Sequence, residues 1–269
     1  MEDGAKVSNG ERQAAGWATA PIDWTAPWFL PWREAGACAA DLRQAGRAAH
    51  DALNAARPPS VARIVRFGPQ QILPVGEPYE RYIFDQGVVP TRDNAHDFFN
   101  GLVWLSLPQA KRRMNQLQAA EIRSQGVGGV RGPVRDALTV FDENGAVLMA
   151  PDVLWEALLA RDWKRLFLEL RPRWTEARVV VCGHALLEQL QRPRRGLTAH
   201  VWRAQAEMTT MARLDAWLAD QLQPERLALK PFTPLPVLGV PGWCADSQAP
   251  DFYDDAQVFR PARGLAQVA

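Results

Sequence analysis

Several things are scarce in this sequence, and each scarcity removes a class of explanation. Three cysteines in 269 residues, Cys38, Cys182 and Cys244, are odd in number, far apart and without a C-x-x-C spacing. They fit reduced thiols better than a secreted disulfide framework, and they supply no cysteine-based zinc knuckle. No stretch approaches the roughly 18 consecutive apolar residues that a membrane helix requires. The first sixteen residues, Met1 to Gly16, are polar and contain no apolar core of a secretion signal. Neither sign of charge dominates: 31 basic residues face 30 acidic ones. The chain as a whole therefore has no attraction for nucleic acid or an anionic membrane, and such binding would need a local patch. GxGxxG, P-loop, GxSxG, HExxH and EF-hand patterns are all missing. The expectation is a soluble, cytoplasmic protein with no membrane partner and no preference for nucleic acid.

What the sequence does have is hydrophobic mass, 47% of the residues, and eleven tryptophans. A chain of this length and composition can bury a large core unaided. Residues 1–20 read as a disordered leader, 21–262 as one globular domain and 263–269 as a disordered tail. Between Ile22 and Trp32, three prolines alternate with Trp24, Trp28, Phe29 and Trp32, which suggests an extended arm packed on the domain by its indoles.

Periodicity and punctuation then place the elements. One helix is expected over Glu34–Arg57, with short strands near Ala62–Phe67 and Gln70–Pro74. A brief helix over Pro78–Gln86 should close at Gly87, and a helix pair should cover Thr91–Leu107 and Pro108–Gln125. A loop is expected over Gly126–Pro133. Between Leu138 and Met149, Asp142-Glu143-Asn144-Gly145 separates two apolar runs and reads as a β-hairpin turn. Helices follow over Asp152–Arg161 and Asp162–Leu170, and a buried strand over Arg178–Cys182. The remaining elements are a helix over His184–Leu190, a strand over Leu197–Arg203 and a helix over Gln205–Leu222. The proline-rich stretch from Pro224 should wrap the surface without forming elements. The fold expected is α+β: a mostly helical single domain with a β-hairpin and a short mixed sheet, flanked by an extended N-terminal arm and a C-terminal tail.

The densest polar constellation is Thr91-Arg92-Asp93-Asn94-Ala95-His96-Asp97-Phe98-Phe99-Asn100-Gly101-Leu102-Val103-Trp104. Thr91 or Asp93 would cap this helix, and His96, Asp97, Asn100 and Trp104 would share one face. An indole on that face should be covered, so the polar groups beside it need partners, a metal or a substrate. His184 opens a helix and His200 lies in a strand; either could join His96 and Asp97 in metal-assisted or general acid–base chemistry. His50 reads as a surface residue. Glu188, one helical turn beyond His184, could orient it, though a structural pair is the plainer reading. Asp142 and Glu143 are most simply turn residues. The clusters Lys111-Arg112-Arg113, Arg171/Arg173 and Arg192/Arg194/Arg195 read as solvated surface.

Pro90–Trp104 resembles the signature of a bacterial family catalogued as domain of unknown function 3025. So do Arg135–Thr139, Phe141–Gly145, Gly183–Glu188, Thr198–His200, Pro236–Trp243, Phe252–Asp255 and Val258–Pro261. The resemblance runs in order over nearly the whole chain. It implies one continuous domain and a bacterial origin, and it carries no activity, cofactor or catalytic residue. Asn100–Trp104 with Asn115 beyond is also similar to the helical half of HNH-type nuclease fingers. Those need a histidine on an upstream strand, whereas His96 precedes Asn100 by four residues on the same helix.

Three functions compete. The first is a hydrolase using His96, Asp97, Asn100, His184 and His200, with Arg92, Asp93, Trp104 and Arg135 binding a polar substrate. The second is a binding or scaffold protein in which the same groups form a structural network. The third is a nucleic-acid binder or nuclease. Cofactor, metal, partners and oligomeric state are not readable from the residues.

Overall fold

The computed structural model describes residues 21–125, 132–204 and 208–262. The expected leader, most of the Gly126–Pro133 loop, residues 205–207 and the expected tail lie outside the described residues. The rest forms one α+β domain around a single hydrophobic core.

The chain enters through turns and a 3₁₀ turn at Leu30–Trp32 instead of an extended arm. The packing expectation holds: Trp28, Phe29 and Trp32 are buried, and Phe29 stacks on Phe99 with ring centroids 5.7 Å apart. The single helix expected over Glu34–Arg57 is two, α1 (Arg33–Gln44) and α2 (Ala49–Ala55). Gly46, at φ +86°, breaks them in a conformation that an L side chain rarely adopts. The buried face of α1 is Gly36, Ala39 and Ala40, and Cys38 is exposed.

Strand β1 (Arg66–Pro69) pairs in parallel with β2 (Val88–Thr91), and α3 (Tyr79–Gln86) crosses between them and ends at Gly87. The second strand expected near Gln70–Pro74 is a 3₁₀ turn, Gln70–Ile72. Val88-Val89-Pro90-Thr91 therefore belongs to a strand, and the next helix starts later than expected. That helix, α4 (Ala95–Ser106), is capped by Asn94, whose Oδ1 accepts from the Asp97 N–H at 2.8 Å. Nearly all of α4 is buried, Asp97 and Asn100 included. Helix α5 (Pro108–Gln125) follows at once, with Pro108 at a position that needs no N–H.

The expected hairpin is overturned. Helix α6 (Pro133–Asn144) runs straight into β3 (Gly145–Met149). A two-residue type I′ turn needs positive φ at both central residues, and Gly145 sits at φ −72°, ψ 151°. The apolar residues Val134, Ala137, Leu138 and Phe141 recur at helical spacing, so the helix period governs this stretch.

Helix α7 (Asp152–Ala160), strand β4 (Arg178–Val181), helix α8 (His184–Gln189) and strand β5 (Thr198–Ala204) lie close to where periodicity put them, whereas helix α9 (Met211–Gln221) starts later than the expected Gln205, with Thr210 as its cap. The helix expected over Asp162–Leu170 is present over 163–169, and its larger part, Arg165–Glu169, is π-helical. The C-terminal stretch does form elements: a helical turn at Pro224–Ala228, and β6 (Thr233–Pro236), which pairs with β5. Its prolines are tolerated because β6 is an edge strand. The second sheet has the order β4-β3-β5-β6, with β3 antiparallel to β4 and parallel to β5. All five residues of β3 are buried, as a strand covered on both faces requires.

A candidate metal centre between α4, α6 and α8

Two backbone approaches build the site. The carbonyl of Gly145 accepts from the N–H groups of both Cys182 and Gly183, each at 2.8 Å. Gly183 thereby lies against the end of α6. A Cβ on it would stand 2.5 Å from the Glu143 carbonyl oxygen and from the Asn144 nitrogen, closer than atoms can sit. Only glycine allows this approach, and it delivers His184 directly beside Asp142 and Glu143. Helix α8 also packs on α4, which brings His96 to the same place.

The resulting contacts are short. His96 Nε2 and His184 Nε2 are 3.1 Å apart, and His184 Nε2 is 3.5 Å from Glu143 Oε2. One ligand atom from each of His96, His184 and Glu143 lies within 4.8 Å of the others. The second nitrogen of His96 is 3.1 Å from Glu188 Oε2. This hydrogen bond is the chief reason that the imidazolium form is favoured and the His96 pKa is raised, against the opposing effect of burial. His184 is 4% exposed. Its Nδ1 makes no hydrogen bond; Asp142 Oδ1 stands 3.8 Å away.

A second network supports this cluster from below. Lys111 Nζ donates to Asp142 Oδ1 at 2.6 Å and to Asn100 Oδ1 at 2.8 Å, and it lies 5.6 Å from the Trp104 ring centroid. Asn100 Nδ2 donates to the Tyr79 hydroxyl at 3.2 Å. Burial opposes ionisation of Asp142, but Lys111 and His184 outweigh it and hold the carboxyl well below the usual range. Among the described residues Glu80 has no such cation in contact. Burial raises its pKa, against the more distant Lys111 charge, while Asn115 Nδ2 donates to its Oε2 at 2.6 Å. Burial, followed by the nearby Glu80 charge, keeps Tyr79 protonated.

A cavity of about 350 Å³ opens onto these groups, lined among others by Tyr79, Glu80, Arg92, His96, Lys111 and His184. A second cavity of about 290 Å³ adjoins it, sharing Tyr79, Glu80, Gln118, Asp142 and Glu143 and adding Arg135 and Thr139.

The structure thus brings together His96 and His184, with Asn100 and Trp104 in the cavity wall. Asp97 also lines the cavity, but its carboxylate is held by Arg92, which donates from Nη2 at 2.8 Å, from Nε at 3.1 Å and from its backbone N–H at 2.7 Å. Asp93 lies elsewhere, accepting from the Ala49 N–H at 2.6 Å at the start of α2. His200 is not brought to the cleft: it sits on β5 opposite Gly145 and Pro234, and it lines neither cavity. Burial, with the Lys230 charge, lowers its pKa.

Sequence reasoning missed Glu143 and Asp142, hidden in what looked like a turn, and Lys111, hidden in what looked like surface. It also paired Glu188 with the wrong histidine. The phrase Gly183-His184 was the usable signal, since a glycine between strand and helix marks a close backbone approach. The other basic clusters are engaged locally: Arg113 donates to the Leu222 carbonyl, Arg171 to the Ser247 carbonyl, Arg173 pairs with Glu176 and Arg195 with Asp246.

The donor set suits a divalent transition metal. Two imidazole nitrogens and one carboxylate oxygen are the ligand types of hydrolytic zinc and non-haem iron sites. In a tetrahedral site two ligand atoms about 2.1 Å from the ion lie about 3.4 Å apart, near the 3.1 Å His96–His184 and 3.5 Å His184–Glu143 separations. The Glu188–His96 hydrogen bond has the form of the carboxylate–histidine contact that orients metal ligands.

This is an α+β domain with a histidine–carboxylate cleft, and comparison places it in a family. The chain belongs to a family described as protein of unknown function (DUF3025), whose sequence model matches residues 65–263. No curated protein and no solved structure matches it. No helix among the described residues is long and apolar enough to cross a membrane.

Proposed function

We propose that this protein is a metal-dependent hydrolase in which His96, His184 and Glu143 hold one divalent ion. The observation that carries the reading is the convergence of these three ligand atoms, drawn from three different helices, at the wall of a cavity. Glu188 fixes the His96 ring with its Nε2 toward the ion. Asp142, anchored by Lys111, stands behind His184 as the acceptor that its Nδ1–H would meet. An ion held by these three residues would supply what catalytic zinc sites supply, Lewis-acid polarisation of the substrate and activation of water near neutral pH.

The chain's own residues supply the remaining chemistry. Tyr79 accepts from Asn100, and its hydroxyl proton is free to donate to a substrate oxygen. Glu80, biased toward its protonated form by burial, suits a proton donor to a leaving group. A cavity of this size fits a small molecule and not a polymer. The Asp142–Lys111–Asn100–Tyr79 chain of bonds is the scaffold that sets these groups, so the structural and catalytic roles of the polar cluster coexist.

The test is hydrolysis of a panel of small esters, amides and phosphoesters by protein stripped with chelator and then reloaded with Zn²⁺, Mn²⁺ or Fe²⁺. Turnover should vanish on stripping and return with one of the metals. Turnover that is indifferent to chelation, or unchanged in Glu143→Gln, would refute the reading.

A further inference from the structure

The two cavities share a wall, and their charges are unevenly settled. The larger is lined by four carboxylates, Glu80, Asp97, Asp142 and Glu143, and by two fixed cations, Arg92 and Lys111. Both cations are already committed, Arg92 to Asp97 and Lys111 to Asp142. The lining is therefore two charges negative with neutral histidines, and a single divalent ion balances it. Protonation of Glu80 would tip it positive.

Arg135 is the odd cation. It lies half-buried in the first turn of α6 and lines the smaller cavity beside Glu143 and Thr139. Among the described residues its guanidinium makes no hydrogen bond or ion pair, unlike Arg92 and Lys111. A guanidinium offers a planar fork of donors that matches two oxygens of one anion. With a metal in the larger cavity, Arg135 leaves the combined cleft one charge positive when Glu80 is ionised and two when it is protonated, the form in which it donates.

We propose that the smaller cavity is an oxyanion subsite in which Arg135 holds a carboxylate or phosphate group of the substrate. The substrates would be small molecules with a hydrolysable bond near His96 and His184 and an anionic group extending over Tyr79 and Glu80 toward Arg135. This rests on the metal-centre reading and narrows it to anionic substrates.

The experiment is a calorimetric titration of Zn²⁺-loaded wild-type protein and Arg135→Gln with succinate and, in a separate arm, with inorganic phosphate. Acetamide serves as the uncharged comparison. Zn²⁺ binding is measured first on both proteins. Equal Zn²⁺ affinity, and anion binding weakened roughly ten- to hundredfold in Arg135→Gln, is the expected result, since a hydrogen-bonded charged partner is lost. The stronger arm tells carboxylate from phosphate. Equal zinc affinity with anion affinity unchanged by the substitution, or no anion binding by the wild type, overturns the subsite alone. Failure of the wild type to bind zinc overturns the metal centre and the subsite with it. Unchanged melting temperature confirms that Arg135→Gln is folded.

Discussion

Replacing Lys111 by methionine keeps the length and apolar stem of the side chain and removes its charge. Its side chain is 5% exposed and that of Asp142 is 12% exposed, so the pair is screened very little by solvent. Breaking such a pair leaves a buried carboxylate without its cation, and removing one partner of a buried ion pair costs about 3–5 kcal/mol. Asn100 Oδ1 loses its donor as well, so the upper half of that range is expected. For a domain of this size each kcal/mol lowers Tm by about 2–4 °C, which puts the variant roughly 8–20 °C below wild type. The double variant Lys111→Met/Asp142→Asn removes the stranded charge and should regain about half of the loss. Thermal and urea denaturation followed by circular dichroism would measure both. A single variant within about 1 kcal/mol of wild type, or a double variant no better than the single, would show that the pair does not support the fold as described.

Three further outcomes follow from named contacts. Gly183→Ala drives a Cβ into the backbone of Glu143 and Asn144, so it should lower stability by about 1–3 kcal/mol and weaken Zn²⁺ binding in the same protein; a neutral outcome on both would contradict the junction geometry. Asp215 in α9 accepts from the Gln109 and Ala110 N–H groups at 3.1 and 2.8 Å, capping α5 from another helix. Asp215→Ala should cost about 1–2 kcal/mol, and a urea midpoint equal to wild type would dispute the cap. Burial pushes the Cys182 thiol up to about 12. Near pH 8 it is then thiol and not thiolate, so Ellman's reagent should react rapidly with exposed Cys38 and reach Cys182 only on unfolding.

The parts of this fold that were legible in the sequence are those where period and punctuation agree. Pro108 between two helices, Gly87 after α3 and the apolar run Val179–Val181 each have one reading. Asp142–Gly145 had two, because Asn-Gly is a hairpin signal only when the flanking apolar residues alternate, and those before it step by three and four. The cluster was half legible: His96 and His184 stood out as rare, well-placed histidines, but which groups meet them is decided by non-local packing. Lys111 illustrates the reason. Its sequence neighbours are arginines on an outer face, and only the docking of α5 against α6 turns it inward to Asp142. His200 shows the converse, since a histidine in a β-strand looks the same whether its neighbour is a ligand or Pro234.

The most direct measurement of the central claim is a Zn²⁺ titration of metal-free protein in parallel with His96→Ala, Glu143→Gln and His200→Ala. One ion should bind per wild-type chain, His96→Ala and Glu143→Gln should each lose at least about tenfold in affinity, and His200→Ala should titrate like wild type. Binding lost equally in His200→Ala, or retained in full by His96→Ala and Glu143→Gln, would contradict a metal centre at this cleft.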